Sequence, residues 1–153
     1  MTREEFQARC IVRRLNIGDI VTEFDCHDED LNDFIINEAS LYRNALLSVT
    51  YVVEDKNSED VLAYFSLSND KISISDFESK TEFNRFRKHK FVNEKRLRSY
   101  PAIKIGRLAI AKSAQHQSIG TYLLEFIEDY FLIDNKSGCR FVTVDAYVDA
   151  IPF

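Results

Sequence analysis

The sequence predicts a mixed α/β fold, an α+β sheet with helices packed on it. Three observations carry that expectation. Five segments are rich in β-branched and aromatic residues, and two longer ones place apolar residues at three- and four-residue steps. A polar loop near residue 115 joins one of the strands to one of the helices.

At 153 residues the chain is long enough for a real core and short for two. It contains four glycines, two prolines, no repeat and no low-complexity tract, so residues 1–153 are expected to form one continuous domain. Hydrophobic residues make up 45% and charged residues 29%, the balance of a chain that folds in water. The net charge of −5 argues against a general affinity for nucleic acid or acidic membranes, and leaves room for a local basic patch. No run approaches the ~20 apolar residues of a membrane span. The start, "MTREEFQARC", lacks the apolar stretch of a signal peptide, so a cytoplasmic location without membrane contact is expected.

Taken in order, "CIVRRLN" (10–16) alternates and suits a first strand. In "DEDLNDFIINEASLYRNALL" (28–47), Leu31, Phe34, Ile35, Ala39, Tyr42 and Leu46 share one face of a helix. Asp28 is placed to cap that helix, and its acidic first turn suits the positive end of the dipole. "SVTYVVED" (48–55) and "VLAYFSLSND" (61–70) read as an antiparallel hairpin across the polar turn "KNSED". Residues 71–100 are mostly polar and hold the one concentrated basic run, "RFRKHKFVNEKRLR" (85–98), which reads either as a solvated face or as an attractor for a phosphate-rich ligand. After Pro101, "AIKIGRLAI" (102–110) is a strand. The loop 111–117 leads into a helix from Ser118 to Leu132 with Ile119, Leu123, Phe126, Ile127 and Tyr130 on one stripe, and Gly138 is placed to end that segment. "RFVTVDAYV" (140–148) is the last strand.

The three cysteines, Cys10, Cys26 and Cys139, are odd in number, scattered and without a CxxC pair, and His27, His89 and His116 lie far apart. Three reduced thiols are expected, with no disulfide framework, no structural zinc and no metal site.

The loop is the chemically informative stretch. A strand that runs out into a helix start gathers backbone N–H groups in one concavity with the helix dipole behind them, which makes an anion site. Ser118 and Gly120 are small, Gln115 and Gln117 can donate hydrogen bonds to an anion, and Arg107 and Lys112 are expected to add positive potential.

"GRLAIAKSAQHQSIGTYLL" (106–124) resembles the acetyl-CoA signature of the GNAT acyltransferase superfamily, in which a strand is followed by Gln/Arg-x-x-Gly-x-Gly/Ala and a helix. Here the motif reads Gln115-His116-Gln117-Ser118-Ile119-Gly120, with Ser118 where the family most often has glycine. "EFDCHDEDLNDFI" (23–35), "LAYFSLS" (62–68), "IGRLAI" (105–110) and "FVTVDAYVDAIPF" (141–153) resemble segments of a GNAT branch that includes the acetyltransferase toxins of toxin–antitoxin pairs. The resemblance implies a mixed sheet whose fourth and fifth strands, here 102–110 and 140–146, splay apart to admit the pantetheine arm. It implies that Leu108 and Ile110 offer backbone groups to the pantetheine, and that Gln115, His116, Gln117, Ser118, Ile119, Gly120 and Thr121 offer amides to the pyrophosphate.

The implied activity is transfer of an acetyl group from acetyl-CoA to a primary amine. That reaction needs a neutral amine, a polarised carbonyl and a proton for the departing thiolate. In many relatives a tyrosine just beyond a segment like "DAIPF" supplies the proton, and here the sequence ends at Phe153. Tyr147 is the nearest replacement, Tyr64 and Tyr100 are less constrained, and Asp145 is a candidate to orient the amine or polarise a water. No general base is identified. A domain without the family's last helix and strands exposes a sheet edge, so a homodimer through that C-terminal edge is expected. A small-molecule or protein amine suits the acidic net charge, and aminoacyl-tRNA suits the run Arg85, Arg87, Lys88, Lys90, Lys95, Arg96 and Arg98. The alternative is a non-catalytic CoA-binding module acting through an antitoxin-like partner or through self-association.

Overall fold

Val, Ile, Tyr and Phe dominate the segments that form the sheet, and their alternation divides them between two cores. The computed structural model describes residues 1–90, 97–133, 135 and 137–145. Its elements are α1 (Arg3–Arg9), β1 (Cys10–Arg14), α2 (Glu29–Asp33), α3 (Ala39–Asn44), β2 (Val49–Asp55), β3 (Val61–Ser73), α4 (Lys80–Lys90), β4 (Ser99–Ile110), α5 (Ile119–Glu128) and β5 (Phe141–Val144). The strands form one sheet in the order β1-β2-β3-β4-β5. The first three pairings are antiparallel and β4 pairs with β5 in parallel, so the expected mixed sheet and the β2–β3 hairpin both form.

One face carries α1 and α5. Phe6, Phe65, Leu67, Ile103, Ile105, Ile119, Leu123 and Ile127 are buried there, with Leu108 and Ile110 packed at the margin. The other face carries α2 and α3 over Val52, Tyr64 and Ala109, with Phe34, Ile35 and Ala39 as the buried helical contribution. A third cluster ties α4 to the far end of β4, where Phe83 lies against Tyr100 (6.4 Å between centroids) and Phe86 against Phe141 (5.5 Å).

One extra residue in β4 governs which side chains reach which core. Ser66 pairs with Arg107 and Leu67 with Ile105, leaving Gly106 as a bulge. Side chains alternate along a strand, so without the bulge Arg107 would share a face with Ile103 and Ile105. With it, Leu108 and Ile110 rejoin that face, and Arg107 and Ala109 turn to the α2–α3 side. Pro101 has no amide to donate and sits in β4 one residue before the β5 pairing begins at Ala102. Its carbonyl accepts from Arg140 N at 2.8 Å.

Several elements differ from the sequence expectation. The predicted helix 28–47 is capped by Asp28 as expected, its carboxylate accepting from Leu31 N at 3.1 Å, but a π-helical turn at Phe34–Glu38 separates α2 from α3. The wider turn brings the adjacent Phe34 and Ile35 both into the core. Leu46 falls beyond the end of α3 at a φ of 59° and is 91% exposed, so it is not a core residue. The helix after the loop begins at Ile119, and its last turn, Asp129–Ile133, is π-helical. β4 begins at Ser99, three residues earlier than predicted, and β3 runs on to Ser73. The N-terminal α1, which buries Phe6 and is closed by a Thr2–Glu5 capping box, was not expected. β5 ends at Val144 and is, among the described residues, the C-terminal edge of the sheet, while the predicted 146–148 lie outside the described residues. Gly138 has the left-handed φ of 71° expected of a segment end, and all three cysteines are free, Cys10 and Cys139 being buried.

A Cβ at position 106 would meet only Ser66 Oγ, at 3.5 Å, an ordinary contact at a φ that is not left-handed. Replacing Gly106 by alanine is therefore expected to raise stability by about 0.4–1 kcal/mol through loss of unfolded-state entropy, measured by urea denaturation. Leu123, fully buried under the sheet, is expected to cost about 2–5 kcal/mol when cut to alanine.

Candidate functional site

The site grows from the point where β4 loses its outer neighbour. β4 and β5 pair from Ala102↔Phe141 to Ile105↔Val144. From Gly106 to Ile110, β4 stays paired with β3 on one side, while its other edge meets no strand among the described residues. The half-buried Leu108 and Ile110 thus have main-chain groups on an open edge while their side chains pack into the α5 core.

The chain then enters the loop. Ala111 N donates to Leu62 O at 2.8 Å, and a 3₁₀ turn covers Lys112–Ala114. His116 (φ 61°) and Ser118 (φ 63°, ψ 14°) are both left-handed, and α5 begins at Ile119. Among the described residues, no protein acceptor takes a hydrogen bond from the amides of Gln117, Ser118, Ile119, Gly120 or Thr121. These are the orphan donors of a helix start, gathered at the positive end of the helix dipole. Ile119 is 1% exposed and Gly120 is buried, so both can offer only backbone, while Thr121 and Ser118 are exposed. The conformation of Ser118 gives the physical reason why glycine is commoner there: a left-handed residue with a Cβ costs ~1–2 kcal/mol.

The side chains of the loop do something other than expected. Gln115 Nε2 donates to Cys26 O (3.3 Å) and Ile110 O (3.1 Å), and Gln117 Nε2 donates to Ser113 O (3.3 Å). The glutamine side chains therefore brace the loop, and its unspent donors are the backbone amides. Lys112 is likewise spent. Its Nζ lies 2.7 Å from Asp25, and its amide donates to Asp25 O at 2.8 Å. Asp25 also accepts from His27 N at 2.9 Å and from Asn32 Nδ2 at 3.3 Å. The Lys112 bond first, then the His27 amide, hold its carboxyl down at about 2. The segment 25–32 is thus the brace of the anion loop, which sequence reasoning missed. The Asp25–His27 Asx turn was the one local signal of it.

Arg107 turns to the α2–α3 face rather than into the loop. Its guanidinium lies over the rings of Phe34 (3.8 Å to the centroid) and Tyr42 (5.1 Å), a contact worth ~0.5–2 kcal/mol.

The catalytic candidates separate. Asp145 directly follows the last β4–β5 pair, and its largely exposed carboxylate sits 3.1 Å from Lys104 Nζ, which also approaches Asp70 at 3.8 Å. Asp145 first, then Asp70, raise the Lys104 pKa. Tyr147 lies outside the described residues. Tyr64 is fully buried, its hydroxyl donates to Leu31 O at 2.7 Å, and burial pushes its pKa far up, so it is a packing residue rather than a proton donor. Tyr100, 3% exposed against Phe83 and Phe141, is packed in the same way. In the basic run, Arg87 stacks on Phe83 and donates to Leu97 O at 3.0 Å, while Arg85, Lys88 and Arg98 are exposed. Lys95 and Arg96 lie outside the described residues.

No protein-family model matches the sequence, and no curated protein matches it. Solved structures do. A Tyr-to-Phe variant of KacT is 22% identical with a TM-score of 0.70, over 90% of this chain and 78% of that one. AtaT in complex with acetyl-methionyl-tRNAfMet is 20% identical with a TM-score of 0.70, over 92% and 81%. AtaTR bound with AcCoA is 22% identical with a TM-score of 0.69, over 91% and 78%. The chain therefore has the fold of KacT and AtaT.

Replacing Ser118 by glycine is expected to raise stability by about 1 kcal/mol and to leave the loop intact, read by thermal denaturation. Asp25→Asn is expected to lower the Tm at pH 7. A carboxyl depressed on folding stabilises above its unfolded pKa of 3.8 and loses that contribution as pH falls through about 2. The gap between wild type and variant should therefore close over that window, and a gap independent of pH would refute the ion-pair account.

Proposed function

We propose that residues 1–153 form an acetyl-CoA-dependent N-acetyltransferase domain that acts on a primary amine. One observation carries this reading: the open edge of β4 from Gly106 to Ile110 runs directly into a braced helix start whose amides are unspent. An extended arm bearing amides suits the edge, through the main chain of Leu108 and Ile110. A pyrophosphate suits the amides of Gln115 to Thr121, of which Gln117 to Thr121 are the unspent donors. KacT and AtaT support the reading through the shared fold, AtaTR through its bound AcCoA, and AtaT through its bound acetyl-methionyl-tRNAfMet.

In this arrangement the thioester lies where β4 and β5 part, next to Ile105 and Val144. The neutral acceptor amine attacks the carbonyl carbon, the C–S bond breaks, the thiolate takes a proton and the amine loses one. Orientation of the two substrates at the splay supplies much of the rate. Asp145 stands at that point and orients the amine, with Lys104 holding its carboxylate in place. Tyr147 remains the candidate acid for the thiolate.

For the acceptor, aminoacyl-tRNA is favoured by the exposed cations Arg85, Lys88 and Arg98 and by the complex of AtaT with acetyl-methionyl-tRNAfMet. Binding should then fall steeply with salt as counterions are released. An antitoxin-like protein partner fits the AtaT toxin bound to the C-terminus of the antitoxin AtaR. A homodimer and a cytoplasmic location complete the reading. Among the described residues no helix is long and apolar enough to cross a membrane.

Calorimetric titration with acetyl-CoA, followed by thiol release with and without amines, tests the proposal. Saturable binding and amine-dependent release are expected. Thr121→Glu places a carboxylate on the third residue of α5, where it favours the helix and opposes a bound pyrophosphate. A like charge at ~4 Å costs about 1–4 kcal/mol at effective dielectrics of 80 to 20, so affinity for acetyl-CoA should fall at least about fivefold without loss of Tm. Wild-type affinity in that variant would move the cofactor away from the loop.

A further inference from the structure

We propose that Arg107 is a fixed receptor for an oxyanion carried by the acceptor next to its amine; the word acceptor rests on the transferase reading above. The Gly106 bulge turns Arg107 away from the α5 core and onto the α2–α3 face, the side to which Lys104 also points. There the guanidinium carbon lies 3.8 Å from the Phe34 centroid and 5.1 Å from that of Tyr42. A cation held on aromatic faces in this way uses none of its N–H groups on the rings' electrostatics and keeps them as hydrogen-bond donors.

Those donors are unspent. No acceptor among the described residues takes a hydrogen bond from Arg107, and no carboxylate among them lies within 4.0 Å of it. Cations elsewhere in the same part of the molecule are committed. Lys112 is held by Asp25, Lys104 by Asp70 and Asp145, and Arg43 by the carbonyls of Leu15 and Asn16. Arg107 stands two residues along β4 from Ile105, which pairs with Val144, the residue before Asp145. A carboxylate that accepts an ammonium or amine and a guanidinium that accepts an oxyanion therefore lie on either side of the last described β4–β5 pair. Arg presents paired donors that match both carboxylate and phosphate oxygens. The acceptor chemistry this selects is an amine with a neighbouring oxyanion, the carboxylate of a free amino acid or the phosphodiester of an RNA 3′ end.

The test follows the Arg107 side-chain Nε–H signal of the full ¹⁵N-labelled chain, assigned by its loss in Arg107→Lys. The probes are the trinucleotide CCA, methionine, and methionine amide as a control without an oxyanion. A saturable shift with CCA alone assigns the oxyanion to RNA, and a shift with methionine and not its amide assigns it to a small amino acid. In either case Arg107→Gln, read on backbone signals, should bind that probe at least tenfold more weakly while keeping its affinity for acetyl-CoA. Absence of a shift with both oxyanions, or equal binding by Arg107→Gln, overturns the inference. Acetyl-CoA titrated into the same sample reads the transferase proposal separately, because a chain that binds the oxyanion and not the cofactor fails one and keeps the other.

Discussion

β4 has to pair with β3 on both sides of position 106, feed side chains to two cores and, among the described residues, leave its outer edge without a strand past Ile105. A regular strand could meet the first demand and not the other two together, because strict alternation would put Arg107 into the apolar layer beneath α5. The extra residue at Gly106 resolves the conflict. Ile103 and Ile105 before it and Leu108 and Ile110 after it pack against the same helix, while Arg107 and Ala109 serve the opposite face. Bulges increase local twist as well, and this one directly follows Ile105, the last β4 residue paired with β5 among the described residues.

The anion loop depends on that strand and on a brace far from it in sequence. Free amides at a helix start bind an anion well only if they are held in place before it arrives, since ordering them on binding would consume part of the interaction. Here the bonds of Gln115 to Cys26 O and Ile110 O, and those of Lys112 to Asp25, anchor the loop to the segment leading into α2. The loop is therefore mechanically braced, and the positive potential it presents comes from oriented backbone dipoles, because Lys112 is already paired with the Asp25 carboxylate.

The opposite face shows the same division of labour. The π-helical turn between α2 and α3 sends Phe34 and Ile35 inward, and Phe34 then meets Tyr64, Tyr42 and the Arg107 guanidinium in one aromatic group. The buried Tyr64 hydroxyl closes the group by donating to Leu31 O, so none of its polar capacity is left over for chemistry. Packing thus fixes the two aromatic residues and leaves the cation's donor edge as the unspent element.

Local pattern in the sequence determined much of this. The β-branched and aromatic content of 48–55, 61–70 and 102–110, the stripe from Ile119 to Tyr130 and the cap at Asp28 are local features of the chain, and the strands, helix and cap they predict all form in the structure. The strand–loop–helix at 106–124 was equally legible, because an anion site built of backbone needs only small residues at the right spacing. Tertiary structure alone decided what the loop's side chains do. Gln115 looks like a ligand donor in sequence, and its partner Cys26 is 89 residues away. Arg107 looks like part of a basic loop until a one-residue bulge, invisible to periodicity, turns it onto Phe34. The difference has one cause: periodicity records which face a residue occupies relative to its neighbours in the chain, and hydrogen-bond partners are assigned only when distant segments meet.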